Sequence, residues 1–100
     1  MRRLTTPTHK FELGFDTELI RSIRITYAQG GRNILKKEKS DCVFEGENVL
    51  LRLTQDETRR FSSSGGVKIQ IRIITKDGEA LASDIFEEPV DDVLDNEVMT

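Results

Sequence analysis

The sequence predicts an all-β fold, an immunoglobulin-like antiparallel β-sandwich of about seven strands. Apolar and polar residues alternate in several short runs, as they do on half-buried strands. Glycine-containing turn signals separate these runs at intervals of about ten residues, a spacing typical of sandwiches. The chain has 100 residues, of which 36% are hydrophobic and 33% charged. That size and balance predict one domain that folds around its own core.

Alternation predicts the strands of the first half of the chain. Apolar residues recur at every second position in four runs, namely 11–15, 23–27, 42–44 and 49–53. The turn at Gly30 and Gly31 predicts a return strand over 33–37. Lysines continue this strand as far as Lys39, which suits a charged sheet edge that resists unwanted pairing.

The strongest strand signal lies in residues 67–75. Val67, Ile69, Ile71 and Ile73 alternate with polar residues, and β-branched side chains favour strands. The Asp-Gly pair at 77–78 then predicts a hairpin, because both residues tolerate positive φ. We expect the chain to return over 80–88 and to stop at Pro89, which cannot donate to a sheet.

Two segments depart from the β pattern. Thr54 and Glu57 have the spacing of a capping box, which predicts one short helical turn near 55–61 that carries the chain from one sheet to the other. After Pro89, apolar residues fall at helical spacing, which predicts a short C-terminal helix or a frayed tail. The predicted organisation is a β-sandwich domain over 1–88 and an acidic C-terminal tail over 89–100.

Charge is distributed unevenly along the chain. Residues 1–79 contain all 15 lysines and arginines and 11 acidic residues, a net charge of +4. Residues 80–100 contain seven acidic residues and no lysine or arginine, a net charge of −7. The tail could pair with the basic body, link neighbouring copies head to tail, or simply be solvated.

No segment indicates a membrane or a secretory route. The first ten residues contain no apolar run that would serve as a signal peptide, and no run is long enough to span a bilayer. Cys42 is the only cysteine and cannot form an internal disulfide. We therefore expect a protein made in a reducing cytoplasm, with a virion as a further location.

The sequence offers no catalytic, cofactor-binding or metal-binding residue, and it predicts a protein that is not an enzyme. His9 is the only histidine, and we expect it near a mobile chain end without metal or relay partners. Cys42 is predicted to pack as a small apolar side chain. The carboxylate pairs at 87–88 and 91–92 are interpreted as a solvated charge run, and the glycine pairs as turns.

Nucleic-acid binding is possible in principle but disfavoured. Five basic residues should project outward from strands: Arg21, Arg24, Arg52, Lys68 and Arg72. Aromatic residues for stacking on bases fall mostly on predicted core positions, and the acidic tail would compete with phosphate.

One part of the chain resembles a known family. The segment 53–61, the following glycine turn, the strand 67–72 and the Asp-Gly pair are similar to small phage structural proteins. In particular they resemble the immunoglobulin-like N-terminal domains of phage baseplate upper proteins, over roughly residues 40–86. Those proteins continue into a long oligomerising region, which these 100 residues do not include. The resemblance implies a virion or prophage component that docks other structural proteins, without cofactor or catalysis.

The leading hypothesis is therefore a phage or prophage-derived structural or assembly module, associated with a tail or baseplate. Its expected partners are other virion proteins or further copies of itself. The alternative is a non-structural binding module that recognises a host protein or a glycan through the loops at 30–33 and 62–66. An enzyme is the third and weakest hypothesis, because the sequence offers no pair of nucleophile and base.

Overall fold

The computed structural model describes all 100 residues and shows an antiparallel β-sandwich, which confirms the predicted fold class. One α-helix, α1, spans Gln55–Arg59, and short 3-10 turns lie at Thr17–Leu19 and Lys39–Asp41. The eight strands are β1 Thr8–Glu12, β2 Ile20–Gln29, β3 Arg32–Glu38, β4 Cys42–Glu45, β5 Asn48–Arg52, β6 Val67–Thr75, β7 Ala80–Ala82 and β8 Phe86–Glu88.

The strands form two sheets of unequal width. The small sheet has the order β1-β5-β4. The large sheet has the order β3-β2-β6, and both β7 and β8 pair with the free side of β6. Because β7 and β8 follow one another along the same edge, the large sheet is four strands wide and the small sheet three.

The core lies between the sheets, and most of its residues are ones that alternation marked as inward. Val67, Ile69, Ile71 and Ile73 are all buried, and the residues between them are exposed or half-buried. Tyr27 is fully buried on β2. Burial of each such side chain contributes about 1.5–3 kcal/mol to folding, so these strands supply much of the driving force.

The hairpin after β6 forms as predicted, but the return strand is interrupted. The Thr75 amide donates to the Glu79 carbonyl, which leaves a three-residue loop over 76–78, and of the Asp-Gly pair only Gly78 has positive φ, at 91°. Ser83 pairs with Ile71 through two hydrogen bonds, whereas Phe86 pairs with Ile69. The return strand therefore has one extra residue, a bulge that separates β7 from β8. The prediction of a continuous strand over 80–88 is wrong for this reason.

The helical turn between the sheets confirms the capping box. The Thr54 hydroxyl accepts a hydrogen bond from the Glu57 amide, and the Glu57 carboxylate accepts one from the Thr54 amide. Helix α1 ends at Arg59, slightly earlier than the predicted turn. It connects β5 in the small sheet to β6 in the large sheet, as expected.

The predicted C-terminal helix is wrong, because residues 89–100 contain no helix. The backbone of Asp91 is engaged instead: its N–H donates to Met1 and its carbonyl accepts from the Arg3 amide. Val90 is buried in the core. These tertiary contacts occupy the backbone at the start of the segment, and a helix of this length has too few internal bonds to compete.

The first strand begins earlier than alternation predicts. β1 spans Thr8–Glu12 and not 11–15, although Leu13 and Phe15 still pack against the core. His9 consequently lies within a strand, and the expectation of a mobile position near the chain end is wrong. Alternation of apolar residues did not indicate this start, because Thr8 and Lys10 are polar and occupy the exposed face of β1.

Candidate protein-binding groove

An open groove lies between the two sheets, bounded by β1 on one side and by β7 and β8 on the other. Its volume is about 520 Å³. Inward side chains of β6 form its floor, and Phe11 from β1, Leu81 from β7 and Phe86 from β8 form its walls. We call this feature the edge groove. It exists because the small sheet has no strand opposite β7 and β8.

Large apolar side chains at the edge groove remain accessible to solvent. Leu81 is 41% exposed and Phe86 46% exposed. Their strand partners are Ile73 and Ile69, both inward-facing, so Leu81 and Phe86 belong to the inner face of the large sheet. Ile85, in the bulge between β7 and β8, is 61% exposed. Apolar side chains on an inner sheet face are normally covered by the opposite sheet.

β1 borders the groove with an unpaired backbone edge. The amide of Leu13 donates to Glu47 and that of Leu53 donates to Pro7, both at 3.0 Å, in register with the β1–β5 ladder. In an antiparallel ladder such residues direct both backbone groups toward the partner strand, and the residues between them direct theirs away. The backbone groups of Thr8, Lys10 and Glu12 therefore point away from β5.

His9 and Tyr27 form a polar contact at one end of the groove. Nδ1 of His9 lies 2.6 Å from the Tyr27 hydroxyl, and the two rings stack with centroids 5.6 Å apart. Burial lowers the pKa of His9, although the nearby Glu88 carboxylate opposes this shift. Burial also raises the pKa of Tyr27. A neutral imidazole that accepts from the phenol satisfies both buried groups, so this pair serves as a hydrogen-bonded support for the groove.

The basic residues that the sequence singled out are divided between surfaces. Arg24 and Arg72 face each other in the β2–β6 register on the outer face of the large sheet. Arg24 also lies 3.7 Å from Glu38. Arg52 belongs to the other sheet and contacts the Thr6 hydroxyl. The predicted set thus does not form one continuous basic face.

The two candidate recognition loops are brought together at one end of the sandwich. The side chain of Gln29, next to the Gly30–Asn33 turn, donates to the carbonyls of Ser62 and Gly65 and accepts from the Ser62 amide. Glycine makes up half of the 30–33 loop, serine and glycine make up the whole of the 62–66 loop, and neither loop contains an aromatic residue. This loop pair offers polar backbone groups and one arginine, Arg32, but none of the aromatic side chains that often anchor protein interfaces.

Cys42 and the acidic pairs at 87–88 and 91–92, which are also candidates from the sequence, make defined contacts in the structure. Cys42 packs against the core, and burial raises its pKa to about 11, so its thiol is protonated at neutral pH. Asp92 pairs with Arg3 at 2.6 Å, and the carboxylate of Glu88 lies 2.9 Å from the Met1 amino group. The tail therefore pairs with the body of its own chain at Arg3, one of the three arrangements that the charge pattern left open.

Sequence reasoning did not identify the edge groove. Phe11 was predicted to face the core, because alternation places it on an inward face but does not show whether the facing sheet extends over it. One local signal was available: Ile85 and Phe86 are adjacent apolar residues that break the alternation of the return strand. Such a break indicates a bulge, and bulges are frequent at sheet edges and next to binding sites.

Comparison with known proteins yields no relative. No family model matches the chain, and neither the curated proteins nor the solved structures include a significant match. No helix of the structure is long and apolar enough to cross a membrane. No group of three or more histidine, cysteine, aspartate or glutamate side chains is arranged to hold a metal ion.

Proposed function

We propose that this chain is a structural or assembly module that binds other proteins through the edge groove. The observation that carries the proposal is the combination of an open apolar cavity with an unpaired strand edge. Phe86 and Leu81 present exposed apolar surface inside this site, and exposed apolar patches with a polar rim mark interaction sites, those for other proteins among them.

The proposal includes the phage or prophage setting and the immunoglobulin-like assignment. Both rest on the resemblance of residues 53–72 and the Asp-Gly pair to baseplate upper protein domains. In that setting the partners are other virion proteins, and the module acts by packing and strand contacts, without a cofactor. Virion structural proteins assemble in the cytoplasm, which is where we expect this chain to be made.

The alternative, recognition of a host protein or glycan through the loops, is supported by the proximity of the two loops. Gln29 fixes the Ser62–Gly66 loop beside the Gly30–Asn33 turn. Their surface lacks the aromatic side chains that usually contribute most binding energy. The edge groove has three such residues, Phe11, Phe15 and Phe86, and we therefore favour the groove.

Photo-crosslinking in the producing cell tests the proposal. The amino acid benzoylphenylalanine replaces Phe86 in the groove in one variant and Val43 in a matched control. Val43 is also exposed and apolar, at 58%, but it lies on the outer face of the small sheet. We expect a discrete adduct with one structural protein from the groove position only. Equal adducts from both positions, or none, would refute the proposal. An adduct formed only from a third variant, with the probe at Ser63, would favour the loop alternative.

A further inference from the structure

The edge groove has the dimensions of one missing strand. The large sheet is four strands wide, the small sheet is three strands wide, and the difference falls opposite β7 and β8. Neighbouring strands lie about 4.8 Å apart and facing sheets about 10 Å apart. One extended segment beside β1 would therefore complete the small sheet and cover Leu81 and Phe86.

The free edge of β1 can hold such a segment. Thr8, Lys10 and Glu12 direct their backbone N–H and C=O groups away from β5, into the space where the segment would lie. Pairing there satisfies these groups in the same way as an internal strand does. This is strand addition to an open sheet edge, in which main-chain bonds provide affinity and alternate side chains provide specificity.

The width of the site argues against a second copy of this chain as the occupant. Only one strand position separates β1 from the outer edge of the large sheet. If a second copy paired its own β1 with this β1, the large sheet of the second copy would lie over the second copy's β1. That large sheet would then collide with β7 and β8 of the first copy. The site thus fits an isolated extended segment better than the edge of another sandwich.

Charge distribution on β1 indicates which side chains the segment carries. Lys10 and Glu12 lie on the outer face, 54% and 76% exposed, with Nζ and Oε1 3.6 Å apart. Directly opposed residues on neighbouring strands stabilise the pairing when their charges differ and destabilise it when they match. The complementary antiparallel strand has a basic residue opposite Glu12 and an acidic residue opposite Lys10. Its intervening residues are apolar and face Phe11, Leu81 and Phe86.

The acidic tail of another copy does not meet this requirement. If residues 94–98 were extended with Leu94 and Val98 inward, Asp95 and Glu97 would be the outward residues at this spacing. One carboxylate would then oppose Glu12, and Asn96 would enter the apolar groove. Both placements are unfavourable.

We propose that the edge groove binds an extended segment of a partner protein, with the pattern apolar-basic-apolar-acidic-apolar, added antiparallel to the free edge of β1. This inference rests on the proposed function, because it specifies what the groove of an assembly module receives. It concerns the mode of binding, and it can fail while the groove remains a protein-binding site.

A synthetic peptide tests the mode of binding directly. The probe is acetyl-Val-Lys-Val-Glu-Val-Thr-amide with a fluorescent label, and its binding to the full chain is followed by anisotropy. The lysine and glutamate amides should face β1, and the amides of the second and third valines should face solvent. N-methylation of the first pair should weaken binding about tenfold or more. N-methylation of the second pair is the matched control, and binding should be retained.

Two further measurements use the protein itself. Binding should slow hydrogen exchange of the Thr8, Lys10 and Glu12 amides and leave β4, at the opposite edge of the small sheet, unchanged. Lys10→Pro removes an edge amide that donates to no strand and should abolish binding. Lys10→Ala keeps that amide and should still bind the peptide. The circular dichroism spectrum of each variant establishes that it is folded.

The outcomes separate this inference from the proposed function. Absence of peptide binding up to millimolar concentration, equal effects of the two methylation patterns, or unprotected β1 amides would each overturn strand addition. The crosslink from Phe86 would still report whether the groove contacts a protein. Conversely, strand addition of the peptide without any crosslinked partner in the cell would support the binding chemistry and refute the assembly role.

Discussion

Replacing Thr58 with valine removes one hydroxyl from the interior while it keeps the size of the side chain. Thr58 is fully buried in α1, and its Oγ1 accepts from the Thr5 amide at 3.1 Å and donates to the Thr5 carbonyl at 3.0 Å. These two bonds attach the segment that precedes β1 to the helix between the sheets. They therefore help to hold β1, and with it one wall of the edge groove.

The expected cost follows from these two bonds. A typical intramolecular hydrogen bond contributes about 0.5–1.5 kcal/mol net, and an unsatisfied buried partner adds to the loss. Thr5 is half-buried, so water can partly replace the hydroxyl at its backbone groups. We expect Thr58→Val to lower the free energy of unfolding by about 2 kcal/mol. For a chain of this length that corresponds to a decrease in Tm of about 8–16 °C.

Urea unfolding and thermal melting measure this cost, with Thr58→Ser as the control. Serine keeps both hydrogen bonds and loses one methyl group, which should cost about 1 kcal/mol. Hydrogen exchange at the Thr5 amide should accelerate in the valine variant and remain close to wild type in the serine variant. If valine were tolerated better than serine, packing of the methyl group and not the hydrogen bonds would anchor this segment, and the reasoning would be wrong.

Three further predictions concern charged and titratable groups. Folding lowers the pKa of His9 from its usual value of 6.5, so the unfolded chain binds the proton more readily and the free energy of unfolding decreases as the pH falls below 6.5. Urea unfolding of His9→Gln at several pH values should show a flatter pH dependence. An unchanged slope would contradict this. Arg3→Met removes the ion pair with Asp92 and should make the tail more susceptible to limited proteolysis. The control Arg32→Met, in the exposed hairpin, should not. Equal susceptibility of the two variants would show that Arg3 does not hold the tail. Cys42, with a pKa of about 11, should react with iodoacetamide at pH 8 about a hundredfold more slowly than free cysteine; a rate within tenfold of free cysteine would be incompatible with its packed position.

Sequence patterns were reliable wherever one face of an element is buried. The β6 alternation, the Thr54 capping box and the Gly30-Gly31 turn each appear in the structure where local chemistry places them. They succeed because a period of two or a cap spacing is fixed by backbone geometry and needs no information from distant residues. The charged edge at β3 was also correct, since β3 lies at the margin of the large sheet.

Three of the failures share one physical cause, which is competition from distant partners. The helical spacing after Pro89 is real, but the backbone of Asp91 bonds to Met1 and Arg3 instead of forming helical bonds. The return strand is divided because Ser83 bonds to Ile71 with both its amide and its hydroxyl. His9 was assigned to a mobile end because nothing in its neighbours indicates that Tyr27 is its partner.

The sequence by itself determined that this chain is a β-sandwich, most of the residues that face its core, and where its main turns and the helix between the sheets lie. Those properties depend on the local period of the side chains and on turn chemistry. Only the tertiary structure decided the widths of the two sheets, and so left Leu81 and Phe86 without a covering strand. Alternation shows which face a side chain occupies, but what lies opposite that face depends on how many strands each sheet receives.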